Sequence, residues 1–439
     1  MLGTGYLTPR AMGNLLTITD TLVGLASLST KEIQSIALEM GLLTMDKGLQ
    51  HSVAVLGLPL ANVTADEAVV EIEKLILSGG THQVATANLD FWINSLADVD
   101  LHRIIAGCSL VLPDGMPLVW ISCLLGASLK ERVSGVDMVP RLAELSARKG
   151  YRIFLLGGRE GVAERASQVL QAMHPGTNIV GHHAPPLADL ERMDHGDTLE
   201  RIRAAKPDIL MVAFGNPKQE KWIRMHARRL GVPVSIGIGG SLDMLIGNVA
   251  RAPRWMQRSG LEWLGRCAQE PGRLLPRYAR NLAGLVLRLP FALTASAFQR
   301  PHRGPSAVYR TQDNGVTHLH IQGNLEAKTL IAINRTVMEC ISASQLLVVH
   351  LNDLKYANAE GLGILLDARR QMFGRGLSLT LAAIPAPMRF LFSAWCMNPL
   401  FDEFKVDRKR FTPARKVGAT TRFETLVAEE AGFVAKNQR

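Results

Sequence analysis

Cysteine is scarce. Five residues, Cys108, Cys123, Cys267, Cys340 and Cys396, are scattered through 439 positions with no CxxC spacing. That excludes a disulfide framework and a Cys-rich zinc site, and it fits a reducing cytoplasm. Long apolar runs are also missing. Leu15 to Leu28 is interrupted by Asp20, and Asn281 to Phe298 is split by Arg288 and Pro290. Neither half of the second stretch can cross a bilayer core of about 30 Å, so no transmembrane helix is expected. The first residues lack the pattern of a signal peptide. Neither a GxGxxG fingerprint nor a GxxxxGK[ST] loop occurs, which weakens dinucleotide and ATP readings. Metal ligands are equally thin. His182-His183 reads as a solvated pair in a Pro-rich loop, and Asp98-Val99-Asp100 falls in a helical stretch away from any strand end. No metal and no cofactor are expected.

What is present is a folded chain: 47% hydrophobic and 20% charged, long enough for two or three cores. The net charge is +10, and it is concentrated. From Arg251 to Arg303 stand ten arginines (251, 254, 258, 266, 273, 277, 280, 288, 300, 303), opposed only by Glu262 and Glu270. Trp255, Trp263 and many leucines are interleaved. Such a stretch suits an anionic membrane surface, though a solvated helix face reads the same way. Nucleic acid ranks last, because no recognition motif accompanies the charge.

Residues 1–50 read as a poorly patterned extension. From His51 the pattern is α/β. Val53 to Leu58 is a short buried strand, and Thr64 to Leu77 a helix with Thr64 and Glu67 forming a capping box. Gln83 to Ala87 is a strand, Leu89 to Ile105 a helix, and Leu110 to Leu112 a strand ending in Pro113-Asp114-Gly115. Three strand–turn–helix units follow. Arg152 to Leu156 leads through Gly157-Gly158 to Gly161–Met173, Asp208 to Phe214 leads through Gly215-Asn216-Pro217 to Gln219–Leu230, and Val234 to Ile238 leads through Gly239-Gly240 to Leu242–Ile246. This alternation predicts a Rossmann-like, mostly parallel sheet with helices on both faces. Ligands of such sheets bind beyond the carboxyl ends of the strands. Gln299 to Pro305 reads as a linker. A second, small α/β module follows, with strands at His318–Gln322, Leu346–Leu351 and Ser378–Ala382 and helices at Thr329–Ile341, Gly361–Phe373 and Pro387–Trp395. The expected divisions are 1–50, 51–250, a basic appendage 251–303, a linker 304–314, the second module 315–410 and a tail 411–439.

Three constellations carry polar chemistry at strand ends. Thr86, Asn88 and Asp114 would surround one crevice if their strands are neighbours, and the carboxylate could take a proton from an attacking hydroxyl. A bland alternative is that Asp114 merely caps the turn before Gly115. Lys218 and Gln219 open a helix whose free N–H groups suit a phosphate or sugar hydroxyl, with an ordinary capped helix as the alternative. The Gly157-Gly158 and Gly239-Gly240 turns permit close backbone approach to a nucleotide diphosphate.

Seven strings stand in order: ATANLDFW (85–92), LPDGMPLVW (112–120), ERVSGVDM (131–138), FLLGGREGVAERA (154–166), FGNPKQEKWI (214–223), IGIGGSLDML (236–245) and RAPRWMQRSGLEWLGRCAQEPGR (251–273). Together, over roughly residues 51–285, they resemble the bacterial WecG/TagA/CpsF glycosyltransferases. The resemblance implies an inverting, metal-independent transfer of a sugar (N-acetylmannosamine, its uronic acid, or glucose) from a UDP-sugar. The acceptor it implies is a polyprenyl-diphosphate-linked glycan in exopolysaccharide or envelope synthesis. It casts Asp114 as the base, sets Thr86 and Asn88 near the transfer site, and makes Gln219 a substrate contact. It also implies an appendage that docks on the inner face of the plasma membrane and supplies Arg266, Arg273 and Arg277. Displaced UDP leaves a diphosphate charge for such arginines to stabilise.

The second module resembles a STAS domain over residues 346–384. Related domains carry an Asp-Ser-Ser-Gly-Leu-Gly string with a phosphorylatable serine; here Asn358, Ala359, Glu360, Gly361, Leu362 and Gly363 stand instead. Glu360 at the acceptor position argues for a constitutive docking module, with another assembly enzyme as its partner. The competing reading is a UDP-sugar-binding regulator or scaffold that acts through this module without catalysis. A nicotinamide-dependent oxidoreductase lacks its glycine fingerprint.

Overall fold

The computed structural model describes residues 52–403, except 187, 254, 255, 257–260 and 314. The expected extension 1–50 and tail 411–439 lie outside the described residues. In chain order the elements are β1 Ser52–Val55, β2 Leu58–Ala61, α1 Ala65–Leu77, β3 His82–Ala87, α2 Leu89–Ala97, α3 Val99–Ala106 and β4 Leu110–Pro113. Then come α4 Met116–Leu124, α5 Gly135–Lys149, β5 Arg152–Gly157, α6 Val162–Met173, β6 Asn178–His183, α7 His195–Ala205, β7 Ile209–Ala213, α8 Lys218–Leu230, β8 Val234–Gly237 and α9 Ser241–Leu245. The basic segment supplies α10 Glu262–Gln269 and α11 Pro271–Ala297. The C-terminal module adds β9 Ala307–Asp313, β10 Val316–Leu325, α12 Leu330–Ser342, β11 Leu346–His350, β12 Leu354–Ala357, α13 Ala359–Gly374, β13 Leu379–Ala382, α14 Ala386–Ala394 and β14 Asp402–Glu403.

The N-terminal portion is a six-stranded parallel sheet in the order β4-β3-β8-β7-β5-β6. Strands β4, β5 and β7 are nearly continuous runs of buried apolar residues, as a sheet covered on both faces requires. One face packs on α1, α5 and α6 through Ile72, Met138, Leu142 and Ala166. The other carries Trp92, Leu101 and Ile105 at one end and Trp222 and Ile202 at the other. Thr64 and Glu67 form the expected capping box of α1.

Several expectations are corrected. Val53 to Leu58 is not one strand: β1 and β2 form an antiparallel hairpin turned at Leu56-Gly57, separate from the main sheet. Leu89 to Ile105 is two helices broken at Asp98, whose side chain accepts from Leu101 N and pairs with Lys221 at 2.5 Å. The DxD string is thus a helix cap. His182 and His183 lie on edge strand β6 rather than in a loop. The halves of Asn281–Phe298 belong to one 27-residue helix, α11, that runs through Pro276 and Pro290. Among the described residues no helix is long and apolar enough to cross a membrane. Most of the expected linker 304–314 is β9, paired antiparallel with β10 from Ala307–Gln322 to Asp313–Val316.

The C-terminal module is a sheet in the order β12-β10-β11-β13-β14, parallel throughout, with β9 added antiparallel to β10. It is not separate in packing. Helix α13 presses on the hairpin so closely that a Cβ on Gly363 would sit 2.0 Å from the Ser52 carbonyl oxygen. Fully buried Asp367 accepts from Ser52 N at 3.2 Å and Ser52 Oγ at 2.9 Å, and Arg370 pairs with it at 2.8 Å. Arg103 Nε donates to the Pro399 carbonyl at 3.1 Å. One apolar core runs through both portions, from Val55, Leu58 and Trp92 to Leu365, Phe392 and Trp395.

Candidate active site

Strand register brings the predicted residues together. Thr86 pairs with Leu112 and Ala87 with Pro113 across β3 and β4, so Asn88 and Asp114 follow side by side. Asp114 N donates to the Ala87 carbonyl at 2.8 Å. Gly115 leaves so little room that an added Cβ would lie 3.3 Å from that of Asn88. On the other flank, buried Thr86 donates from Oγ1 to the Gly237 carbonyl of β8 at 2.9 Å. Asn88 caps α2, its Oδ1 accepting from Asp90 N at 3.0 Å and Phe91 N at 3.3 Å. That cap leaves the amide nitrogen, a donor, for other use. Beyond β8, Gly239 and Gly240 face open space. Gly157 does not: its φ of 98° and the tight approach of Phe214 and Ala213 make it a packing glycine, two strands away from β8.

Asp114 is half-buried, and burial pushes its carboxyl up to about 7 against the pull of Arg266 and Arg132. Those two guanidiniums are tied in place by acids. Arg132 donates to Glu262 at 3.0 Å and to Asp137 at 3.3 Å, and Arg266 lies 3.4 Å from Glu262. Burial opposes the charge on Asp137, yet hydrogen bonds from Ser134 and Arg251 hold its carboxyl below the usual range. The Arg132 loop is anchored to the same strand end, since Val133 N donates to the Pro113 carbonyl at 2.8 Å. The result is a carboxyl pushed up to about 7, within the electrostatic reach of two arginines that are themselves paired with Glu262 and Asp137.

Gln219 is placed at the site but is fully engaged inside it. Its Oε1 accepts from Gly215 N at 3.1 Å and Gly239 N at 3.0 Å, so one side chain clips two strand-end turns. Its Nε2 donates to Glu220 at 2.7 Å. Glu220 also accepts from Asn216 at 2.9 Å, and burial pushes its carboxyl up to about 7. Lys218 turns aside: Nζ donates to the Ala188 carbonyl and sits 5.1 Å from the Phe214 ring, and burial lowers its pKa. Arg277 and Arg280 converge on Asp90, at 2.9 and 2.8 Å, beside the turn that Asn88 caps. The side chain of Arg273 lies outside the described residues.

The sequence matches the model of the glycosyl transferase WecG/TagA/CpsF family over residues 53–299. The chain belongs to this family. It is similar to the N-acetylglucosaminyldiphosphoundecaprenol N-acetyl-beta-D-mannosaminyltransferase of Bacillus subtilis (strain 168), with 33% identity over 201 residues, 45% of this chain and 77% of the relative. The enzyme of the same name from Staphylococcus aureus (strain MW2) is 29% identical over 224 residues, 51% of this chain and 86% of the relative. The chain is a glycosyltransferase.

Sequence reasoning passed over several polar residues of this WecG/TagA/CpsF member. Arg132 and Asp137 stand in the ERVSGVDM string, Asp90 in ATANLDFW and Glu220 in PKQE. The available signal was an isolated charge inside an otherwise apolar or turn-forming string, where burial makes a partner obligatory.

Proposed function

We propose that this enzyme moves a sugar from a UDP-sugar to a hydroxyl of a polyprenyl-diphosphate-linked glycan, with inversion and with Asp114 as general base. The acceptor oxygen bonds to the anomeric carbon as the bond from that carbon to the UDP oxygen breaks. The hydroxyl proton passes to Asp114, and UDP leaves with the bonding electrons. Among the described side chains, Arg132, Arg266, Arg277 and Arg280 are cations that could meet the departing diphosphate. The observation that carries this reading is the Asp114 carboxyl at the end of β4, beside the Thr86–Asn88 strand end and pushed up to about 7 by burial against the pull of Arg266 and Arg132. A base poised there works at neutral pH. The names of the relatives support the acceptor and put N-acetylmannosamine first among donors.

Helix α11 turns Leu275, Leu282, Val286, Leu287 and Phe291 to solvent. With the arginine surplus around them, these suit attachment to an anionic membrane face, where the acceptor's lipid resides. We read the C-terminal module as STAS-like, supported by its parallel strands and by α13 starting at the 358–363 string.

The test is UDP release by the purified full-length protein, given UDP-sugars, a polyprenyl-diphosphate-N-acetylglucosamine acceptor and a chelator. Turnover is expected for wild type and a loss of about 10²–10⁴-fold for Asp114→Asn. Equal rates for the two would remove the base assignment, and donor hydrolysis without glycosylated lipid would remove the acceptor.

A further inference from the structure

Helix α11 carries the arginines but does not support itself. Pro276 and Pro290 each remove a helical hydrogen bond, and much of its apolar surface faces solvent. It is seated instead between two bodies. Near its start, Arg277 and Arg280 hold Asp90 of α2, and Gly284 admits Ile93 so closely that an added Cβ would lie 2.3 Å from its Cδ1. Near its end, fully buried Ala292 and Ala295 join the core that contains Trp395 and Met397. Trp395 Nε1 donates to Ser296 Oγ at 3.3 Å, and Arg288 Nη1 reaches Cys396 Sγ at 3.8 Å. Gln299 Nε2 reaches the Pro387 carbonyl at 3.4 Å. The C-terminal module that supplies these contacts is itself joined to the catalytic portion through Ser52, Asp367 and Gly363.

We propose that the C-terminal module is a clamp that keeps α11 seated on α2, so that Arg277 and Arg280 are positioned beside the Asn88 turn before any membrane is met. The module thereby assembles the cationic side of the transfer site from within the chain. Preorganised charge costs no rearrangement at the moment of reaction, whereas a loose helix would have to be ordered in each cycle. This role rests on the reading of those arginines as the diphosphate-facing cations. Arg277 and Arg280 would be set in place by α14, more than a hundred residues further along the chain.

The experiment uses the full-length protein and two wedges in the α11–α14 contact, Ala295→Arg and the milder Ala292→Leu. Hydrogen exchange is read at the amides of 277–290, and transfer is read with a short-chain, water-soluble acceptor, with and without anionic phospholipid vesicles. At least a tenfold loss of amide protection is expected, with at least a tenfold fall in kcat, a donor KM within twofold of wild type, and partial recovery on vesicles. Ala292→Leu, which adds no charge, should show the same pattern at smaller size if Ala295→Arg fails to fold. Protection of 277–290 that survives either wedge in a folded protein overturns the clamp, as does an unchanged kcat once protection is lost. If wild type itself transfers no sugar, the transfer reading fails on its own, and the exchange data still decide whether the module holds the helix.

Discussion

The Asp114 carboxyl has a pH signature with a definite sign. Its folded-state pKa of about 7 lies above the ordinary carboxylate value, so the fold favours the protonated form. The stability linked to it is complete below about pH 4 and is lost as pH rises through 7. The proposed base role needs the opposite form, so kcat/KM should climb with pH to a plateau above 7. Asp114→Asn should melt at a higher temperature than wild type at pH 8 and at the same temperature at pH 4, with scanning calorimetry as the check. Glu220 is shifted the same way but faces Gln219 and Asn216. Glu220→Gln should therefore leave the kinetic midpoint in place even if the rate falls; a midpoint that moves would make Glu220 the base. The clustering of Thr86, Asn88 and Asp114 was legible because they stand at the carboxyl ends of two apolar strand runs that prove to be neighbours. The positions of Gln219 and Lys218 were legible, while their partners were not: an amide that clips two glycine turns and an ammonium on a distant carbonyl are products of tertiary placement.

At the level of the element, buried ion pairs and close glycine contacts decide which helices stay where they are. Asp90 is almost wholly covered while its two arginines are about half exposed. Asp90→Ala should cost roughly 1–3 kcal/mol, below the 3–5 expected for a fully buried pair, and chemical denaturation measures it. At α1, Thr64→Ala removes a cap worth about 1 kcal/mol. The strong amphipathic helices were readable from spacing. Helix α4 was not, because Met116–Leu124 is apolar nearly all round and shows no stripe. Helix α5 was missed because Gly135 and Pro140 suggest a loop, whereas Ser134 caps the helix and Pro140 falls in its early turns. The reading of α11 as two halves treated Pro290 as a stop, but packing on both sides keeps the helix continuous.

For the whole molecule, the sequence suggests domains in series and the fold joins them. Removing residues 306–403 would bare Trp92, Leu58, Ala292 and Ala295, now in one shared core with the module. The shortened protein should bind a hydrophobic dye and aggregate. Gly363→Ala keeps the module but drives a methyl into the Ser52 carbonyl, and overpacking of that kind costs about 1–3 kcal/mol. A single cooperative melt, lowered in Gly363→Ala, is the expected observation. Two transitions in wild type would show the portions to be independent. No local signal could have announced this union, since hairpin and helix are distant in the chain and each looks ordinary alone.

The bond between Ser52 and Asp367 spans 315 positions. A ribosome adding about 5–20 residues per second needs some tens of seconds to cover that distance. Through most of that interval the side of the hairpin that α13 will cover stays bare, because α13 is not yet translated. The nascent enzyme is thus open to capture, by a chaperone or by another copy of itself, at this hairpin, and slowing translation before residue 367 should lengthen that exposure without altering a single finished contact.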